Sequence, residues 1–193
     1  SSRGEQMPFL RPRNMQPEGS DRFSSYFSSY SAPMVATPAT LALEKAGIAF
    51  RVRQYEHDPE AVARGLPYGD EAAEALGLPA GQVFKTILVV VDGSPGVVIA
   101  PVSARIALKR AAQALGGRRA SLMDPSDAER ITGYVVGGIS PVGQKRRLPT
   151  VLDAKAMEYA HVAVSAGRRG VDMELTPADL VSVTGATVRD LTM

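Results

Sequence analysis

Val83-Phe84-Lys85-Thr86-Ile87-Leu88-Val89-Val90-Val91 is almost entirely apolar and rich in β-branched side chains. Such a run suits a strand buried on both faces, as in a sheet covered on each side. Lys85 interrupts it. A lysine there either snorkels to water from an edge strand or is held inward against a partner, where its charge could meet a phosphate, a carbonyl oxygen or a carboxylate. The longest unbroken apolar stretch, Ile87 to Val91, falls far short of the roughly 20 residues that cross a bilayer, so no membrane-spanning segment is expected.

Outward from this strand, Gly93-Ser94-Pro95-Gly96 reads as a turn into a second strand, Val97 to Val102. Ile106 to Leu115 has helical spacing up to a Gly116-Gly117 stop, and Asp124-Pro125 opens a helix running to Thr132. Gly133 to Pro141 reads as a strand and then a glycine-dense loop, the expected binding loop, because glycine lets the backbone approach a ligand closely. Strands follow near Thr150, Val162 and Val171. A helix then opens at Thr176-Pro177 with Asp179 at the capping-box position, and a short strand lies near Val188. On the N-terminal side, Asp70 to Leu76 is a short helix stopped by Gly77, and a loop holding His57, Asp58 and Pro59 precedes it. Phe50 to Tyr55 alternates as a strand does. Thr37 is a good N-cap with Pro38 first inside the helix, and Leu41, Leu43 and Ala46 supply an apolar face before Gly47. The irregular alternation predicts a mixed α/β (α+β) fold, a mixed sheet wrapped by helices, rather than a regular doubly wound one.

The chain has 193 residues and is 45% hydrophobic, which suits one globular domain, assigned to 37–193. Residues 1–36, rich in Ser, Pro, Met and Arg, lack periodicity and read as a flexible extension. With no cysteine, a disulfide framework, a thiolate nucleophile and a Cys-type zinc site are excluded. The two histidines, His57 and His161, do not have a metal-ligand spacing, so no metal is expected. No signal-peptide pattern opens the sequence, which makes the cytoplasm the expected compartment. The net charge is only +2, yet Lys109-Arg110, Arg118-Arg119, Lys145-Arg146-Arg147 and Arg168-Arg169 cluster, as a polyanion partner or a merely solvated surface would require.

Three further features could carry chemistry. Consecutive N–H groups of Gly137-Gly138-Ile139-Ser140-Pro141 could converge on a developing oxyanion, or the segment could be a tight structural turn. It is neither a P-loop nor a G-x-S-x-G elbow, and Ser140 has no nearby histidine to activate it. Ser165-Ala166-Gly167-Arg168-Arg169-Gly170 offers two guanidinium forks for phosphate or carboxylate, with Asp172 and Glu174 following on one side of the next strand. Tyr55 and His57 close the first strand; His57 could serve as a general base, although a loop histidine between Glu56 and Asp58 is ordinarily a solvated polar residue.

Four separated stretches, Tyr55-Glu56-His57-Asp58, Val83-Phe84-Lys85-Thr86, the run from Thr132-Gly133-Tyr134 through Gly137-Gly138-Ile139-Ser140-Pro141 to Lys145-Arg146-Arg147, and Val164 to Gly170, occur in unbroken order. Together they resemble the YbaK/EbsC family of freestanding aminoacyl-tRNA deacylases, relatives of the editing domain inserted in bacterial prolyl-tRNA synthetases. The resemblance spans Thr37 to the C-terminus. It implies a partly barrel-like mixed sheet with flanking helices and a cleft in which Lys85 is the functional lysine and Tyr55, Gly137, Ser165 and Asp172 are companions. It further implies that Thr86, Gly138, Ile139, Ser140, Pro141, Gly167 and Arg168 receive the substrate's terminal adenosine and aminoacyl ester.

The implied reaction is cleavage of the ester of a mischarged tRNA, Cys-tRNA(Pro) first, without a protein nucleophile or cofactor. Main-chain amides would hold the oxyanion, with Lys145, Arg146, Arg147 and Arg168 on the tRNA backbone and prolyl-tRNA synthetase as a further partner. An alanine-specific deacylase and a catalytically silent module docking on a synthetase are the alternatives.

Overall fold

The computed structural model describes residues 6–10 and 35–193. Its strands form two sheets. The first is antiparallel and comprises, in spatial order, β1 (Gln6–Leu10), β2 (Phe50–Gln54), β8 (Val171–Leu175) and β7 (Val162–Arg168). The second is mixed, in the order β5 (Ala120–Leu122), β3 (Phe84–Val91), β4 (Ser94–Pro101), β6 (Thr150–Asp153) and β9 (Thr187–Arg189), with β6 parallel to both of its neighbours. Around them lie α1 (Pro38–Lys45), α2 (Pro59–Ala63), α3 (Tyr68–Leu76), α4 (Leu108–Ala114), α5 (Pro125–Thr132) and α6 (Pro177–Thr184).

The apolar run of β3 is covered on both faces. Phe84 and Leu88 join Val97, Ile99 and Leu152 in the main core, against Phe50, Val52, Val164 and Met173 of the first sheet. The alternate residues Val89 and Val91, with Val98, Ala100 and Val151, pack beneath Ala111 and Ala112 of α4. Burial on two sides removes the need for polar alternation, so β3 and β4 read as near-continuous apolar segments. The first sheet differs, for only one of its faces is apolar. Arg51 and Arg53, Asp172 and Glu174, and Ser165 fall at alternate positions facing away from the main core.

Among the described residues, the two sheets that pack across the main core are bridged by backbone at one corner. Val83 bridges Ala163 in parallel, with the Ala163 N–H donating to the Gln82 carbonyl at 3.0 Å, while the Val83 carbonyl accepts from Val102 N at 2.8 Å. The barrel-like character expected from the resemblance extends no further than this corner.

The structure revises several local expectations. Residues 6–10, read as part of an extension outside the fold, pair with β2, whereas Tyr26, Phe27 and Tyr30 lie outside the described residues. In α1 the buried side is Ala39, Thr40 and Leu43, and Leu41 and Ala46 face solvent. The supposed loop after β2 contains α2, because Asp58 accepts from the Glu60 and Ala61 amides and Pro59 suits a first helical position. The β3–β4 turn is Asp92-Gly93, both at positive φ (47° and 87°), so Ser94, Pro95 and Gly96 belong to the strand. That pair fits a two-residue hairpin loop, whose twist requires left-handed backbone at both positions. Gly133 to Pro141 contains no strand; it leaves α5 directly as a loop.

The start of α1 is locked to the first sheet. The Thr37 hydroxyl accepts from Thr40 N and donates to the Ala166 carbonyl at 2.5 Å, while Thr40 returns the reciprocal capping bond. Thr37→Ala removes a buried cap and a buried tertiary hydrogen bond, and we expect a loss of about 2 kcal/mol in urea unfolding, with Thr37→Ser restoring most of it. Equal midpoints for wild type and Thr37→Ala would show that the cap contributes nothing.

Candidate active site

Val83 and Ala163 start two strands side by side in parallel, and the strands then part. Along that flank of β3 the next neighbour is β5, which pairs only from Val89 onward. In the gap opens a cleft of about 270 Å³, lined from one side by Val83, Phe84, Lys85 and Thr86 and from the other by Ser165, Asp172 and Tyr55. Gly137 and Ile139 close it from the glycine loop, and Tyr68 and Ala72 from α3. The cleft thus gathers Tyr55, Lys85, Thr86, Gly137, Ile139, Ser165 and Asp172 from the residues singled out in the sequence.

Ser165 and Asp172 are direct cross-strand partners, and Asp172 faces Arg53 on its other side, so the three form one row across β7, β8 and β2. Arg53 is engaged elsewhere. It is hydrogen-bonded to Glu174 and donates from Nη2 to the Leu76 carbonyl at 2.8 Å. Asp172, only 5% exposed, is therefore left near a cation without being bound by it. Burial pushes its carboxyl up to about 7, against the pull of Arg53 and with Glu174 and Glu71 adding to the rise. Burial, reinforced by Asp172 and Glu71, likewise raises the Tyr55 phenol well above its ordinary value.

Lys85 does not run out to solvent. It is partly buried and donates from Nζ to the Ala104 carbonyl at 3.0 Å, and burial lowers its pKa although Asp70 opposes this. Beside it, the buried Thr86 hydroxyl has no hydrogen-bond partner among the described residues. An unpaired buried hydroxyl in a cleft wall is costly unless a ligand group completes it.

The glycine loop departs from the idea of three converging amides. Gly138 N donates to the Val135 carbonyl at 2.9 Å, closing a turn, so that amide is spent. The N–H groups of Gly137 and Ile139 have no acceptor among the described residues. Gly137 sits at φ +86°, and a Cβ there would fall 2.6 Å from the Tyr68 ring. Gly138 serves close packing instead, since its Cβ would lie 2.9 Å from Arg169 N. Ser140 is fully buried, its hydroxyl accepts from Val142 N, and its carbonyl accepts from Gln144. It braces the loop and does not reach the cleft, which removes it as a nucleophile.

Pro141 and Gly167 also stand outside the cleft lining, as do the exposed Arg168, Lys145, Arg146 and Arg147. Arg147 borders a separate depression against Val183 and Thr184 of α6. Among the described residues no group of three or more His, Asp or Glu could hold a metal ion.

Tyr68, which the sequence reading passed over, lines the cleft, and His57, Glu71 and Arg169 stand behind it. Glu71, buried on α3, lies 2.9 Å from His57 Nδ1 and accepts from Asp58 N at 2.6 Å. His57 stacks on Tyr68 at 5.7 Å between centroids, so it is a held, half-buried ring and not the solvated loop residue expected. Arg169 lies 5.2 Å over the Tyr68 ring and donates from Nε to the Val136 carbonyl at 2.8 Å. The available signal was Tyr68 and Glu71 three apart on one helix face; opening that helix at Asp70, two residues late, hid it.

Comparison with known proteins places the chain in a family. Residues 68–183 match the family model described as an aminoacyl-tRNA editing domain. A candidate Cys-tRNA(Pro)/Cys-tRNA(Cys) deacylase from Enterococcus faecalis is 36% identical over 64% of this chain and 76% of its own length. A multifunctional Ser/Thr-tRNA deacylase from Escherichia coli is 31% identical over 59% of this chain and 71% of its own. A crystal structure described as a candidate trans-editing enzyme for prolyl tRNA synthetase superposes with a TM-score of 0.70 at 28% identity, covering 83% of this chain and 99% of that one. The chain belongs to the aminoacyl-tRNA editing domain family.

Proposed function

We propose that the chain is a freestanding hydrolase that cleaves the ester joining a wrongly attached amino acid to the terminal ribose of a tRNA. The observation that carries this reading is a cleft in which Lys85, an unpartnered Thr86 hydroxyl and the unpaired amide of Gly137 share one space. An ester is already activated, so the protein has to hold it and stabilise the charge that develops on its carbonyl oxygen. The Gly137 and Ile139 amides are suited to that charge. Thr86 and Ser165 can bond the ribose hydroxyls or the amino acid's ammonium.

In the hydrolytic route a water oxygen adds to the carbonyl carbon, the ester C–O bond breaks, and the ribose oxygen leaves with a proton. Asp172, poised near neutrality, is chemically able to relay that proton. With a cysteinyl ester the substrate's own thiol can add to the carbonyl carbon in place of water; its proton goes to the ribose oxygen as the ester C–O bond breaks, the cyclic thioester left behind is opened by water, and Lys85 orients the acceptor end electrostatically. Cys-tRNA(Pro) is the first substrate to test, in line with the naming of the Enterococcus faecalis relative. The Escherichia coli relative's name adds Ser- and Thr-tRNA to the panel, and Ala-tRNA(Pro) completes it. The exposed Lys145, Arg146, Arg147 and Arg168 would contact tRNA phosphates, giving salt-dependent affinity with little sequence selection, and prolyl-tRNA synthetase would then supply tRNA choice. No helix among the described residues is long and apolar enough to cross a membrane. A tRNA substrate would be met in the cytoplasm, the compartment this reading proposes.

Lys85→Ala should lower kcat/KM for ester loss by about 100-fold or more with an unchanged thermal midpoint. Wild-type turnover by that variant would remove Lys85 from the reaction, and retention of labelled tRNA without ester loss by the wild type would make the protein a binding module.

The Asp172 carboxyl yields a second expectation. Because its folded pKa is raised, its contribution to stability is fully present below the unfolded value of about 4 and is lost as pH rises through about 7. Asp172→Asn should therefore match the wild type in urea near pH 4 and exceed it at pH 8. A stability offset independent of pH would show that Asp172 ionises as it does in the unfolded chain.

A further inference from the structure

Arg169 does not line the cleft, yet it is tied to the cleft's one left-handed amide by three contacts. Its Nε donates to the Val136 carbonyl at 2.8 Å. Its guanidinium covers the Tyr68 ring, and that ring in turn abuts Gly137. Its own backbone N lies where a Cβ on Gly138 would come within 2.9 Å, so the loop rests directly on the β7–β8 turn.

The Val136 carbonyl and the Gly137 N–H belong to one peptide group. A trans peptide is planar, with its C=O and N–H pointing in opposite directions, so whatever fixes the carbonyl also aims the amide. The preceding peptide is held as well, because Val136 N donates to Glu129 Oε1 at 2.8 Å. The Val136–Gly137 unit is also the central peptide of the turn that Gly138 N closes on the Val135 carbonyl, and the structure shows it in one orientation. In it the carbonyl turns out to Arg169 at the rim and the N–H turns the other way, on the residue that lines the cleft.

We propose that Arg169 is a positioning residue that aims the Gly137 N–H into the cleft through the Val136 carbonyl, and that this is its role in place of gripping tRNA phosphate. The inference deepens the reading of the cleft as an ester-cleaving site and rests on that reading for its kinetic consequence, though its structural consequence does not.

Arg169→Lys separates the two roles, because lysine keeps the charge but loses both the Nε donor and the planar face over Tyr68. A misaimed oxyanion donor should lower kcat for ester cleavage by about 10-fold or more, leave KM within about 2-fold, and leave the salt dependence of KM unchanged. In the substrate-free protein, the Gly137 amide resonance should shift and its heteronuclear NOE should fall in Arg169→Lys, with the thermal midpoint preserved. A phosphate ligand would behave differently. Lysine would then preserve kcat, and Arg169→Ala would raise KM and flatten its salt dependence, an outcome that overturns the proposal. An unchanged Gly137 resonance in Arg169→Lys overturns it also, whatever the activity. If the resonance moves while the wild type cleaves none of the esters, the positioning role stands and the ester reading falls.

Discussion

A single residue joined to both sheets organises the molecule. Through its own carbonyl and that of Gln82, Val83 lies between β4 and β7, and in parallel register with Ala163 it brings Lys85 alongside Ser165, two residues further on. Had the strands stayed paired, Lys85 and Ser165 would be neighbours in a continuous sheet and no cavity would exist. They separate instead, and the space that the missing ladder would occupy is the cleft. The cleft is therefore a gap in sheet closure, with Lys85 and Thr86 on a strand paired along its other edge to β4, and Ser165 on one paired to β8 up to the irregularity between Ser165 and Arg168.

The same corner explains the ionisation of the site. The first sheet turns its polar face toward α3, and burying charge there is tolerable only with close compensation. Arg53 supplies it, but to Glu174 and the end of α3, leaving Asp172 beside the cation without a hydrogen bond to it. Burial raises the pKa of the Asp172 carboxyl and, separately, lowers that of the Lys85 ammonium. Such groups suit proton transfer and orientation of a neutral ester. Cations outside the cleft that remain exposed, such as Arg168, are free to meet a polyanion's charge.

Much of this was legible in the chain. Thr37, Asp124 and Thr176 cap the helices they were expected to cap, and the double-sided burial of β3 follows from its unbroken apolar run. Lys85 announced itself because a charge inside such a run is a conflict that needs a reason. Features that depend on meetings between distant segments were not legible. Glu71 and His57 are fourteen positions apart, and their pairing requires the α2 turn, which looked like a loop. Gly137 and Gly138 are chemically identical in sequence, yet one carries an unpaired amide at positive φ and the other spends its amide on Val135 and its missing Cβ on the β7–β8 turn. Arg168 and Arg169 are likewise adjacent and alike; only the fold gives the second a carbonyl and a ring.

These two kinds of legibility correspond to two kinds of wall. On the sheet side, Lys85, Thr86, Ser165 and Asp172 are set by strand register, and moving any of them means shifting a whole ladder. On the other side, Tyr68, Gly137 and Ile139 are set by a stack of rings, a helix start and a loop, held by individual side-chain bonds. The second wall can change one side chain at a time without disturbing a ladder. Discriminating side chains that differ by one methyl or hydroxyl takes about 1–3 kcal/mol, within reach of a ring or loop residue shifting slightly. On the proposed reading, the ladder would fix where an ester lies, and the stack and loop would decide which acyl group is accommodated there.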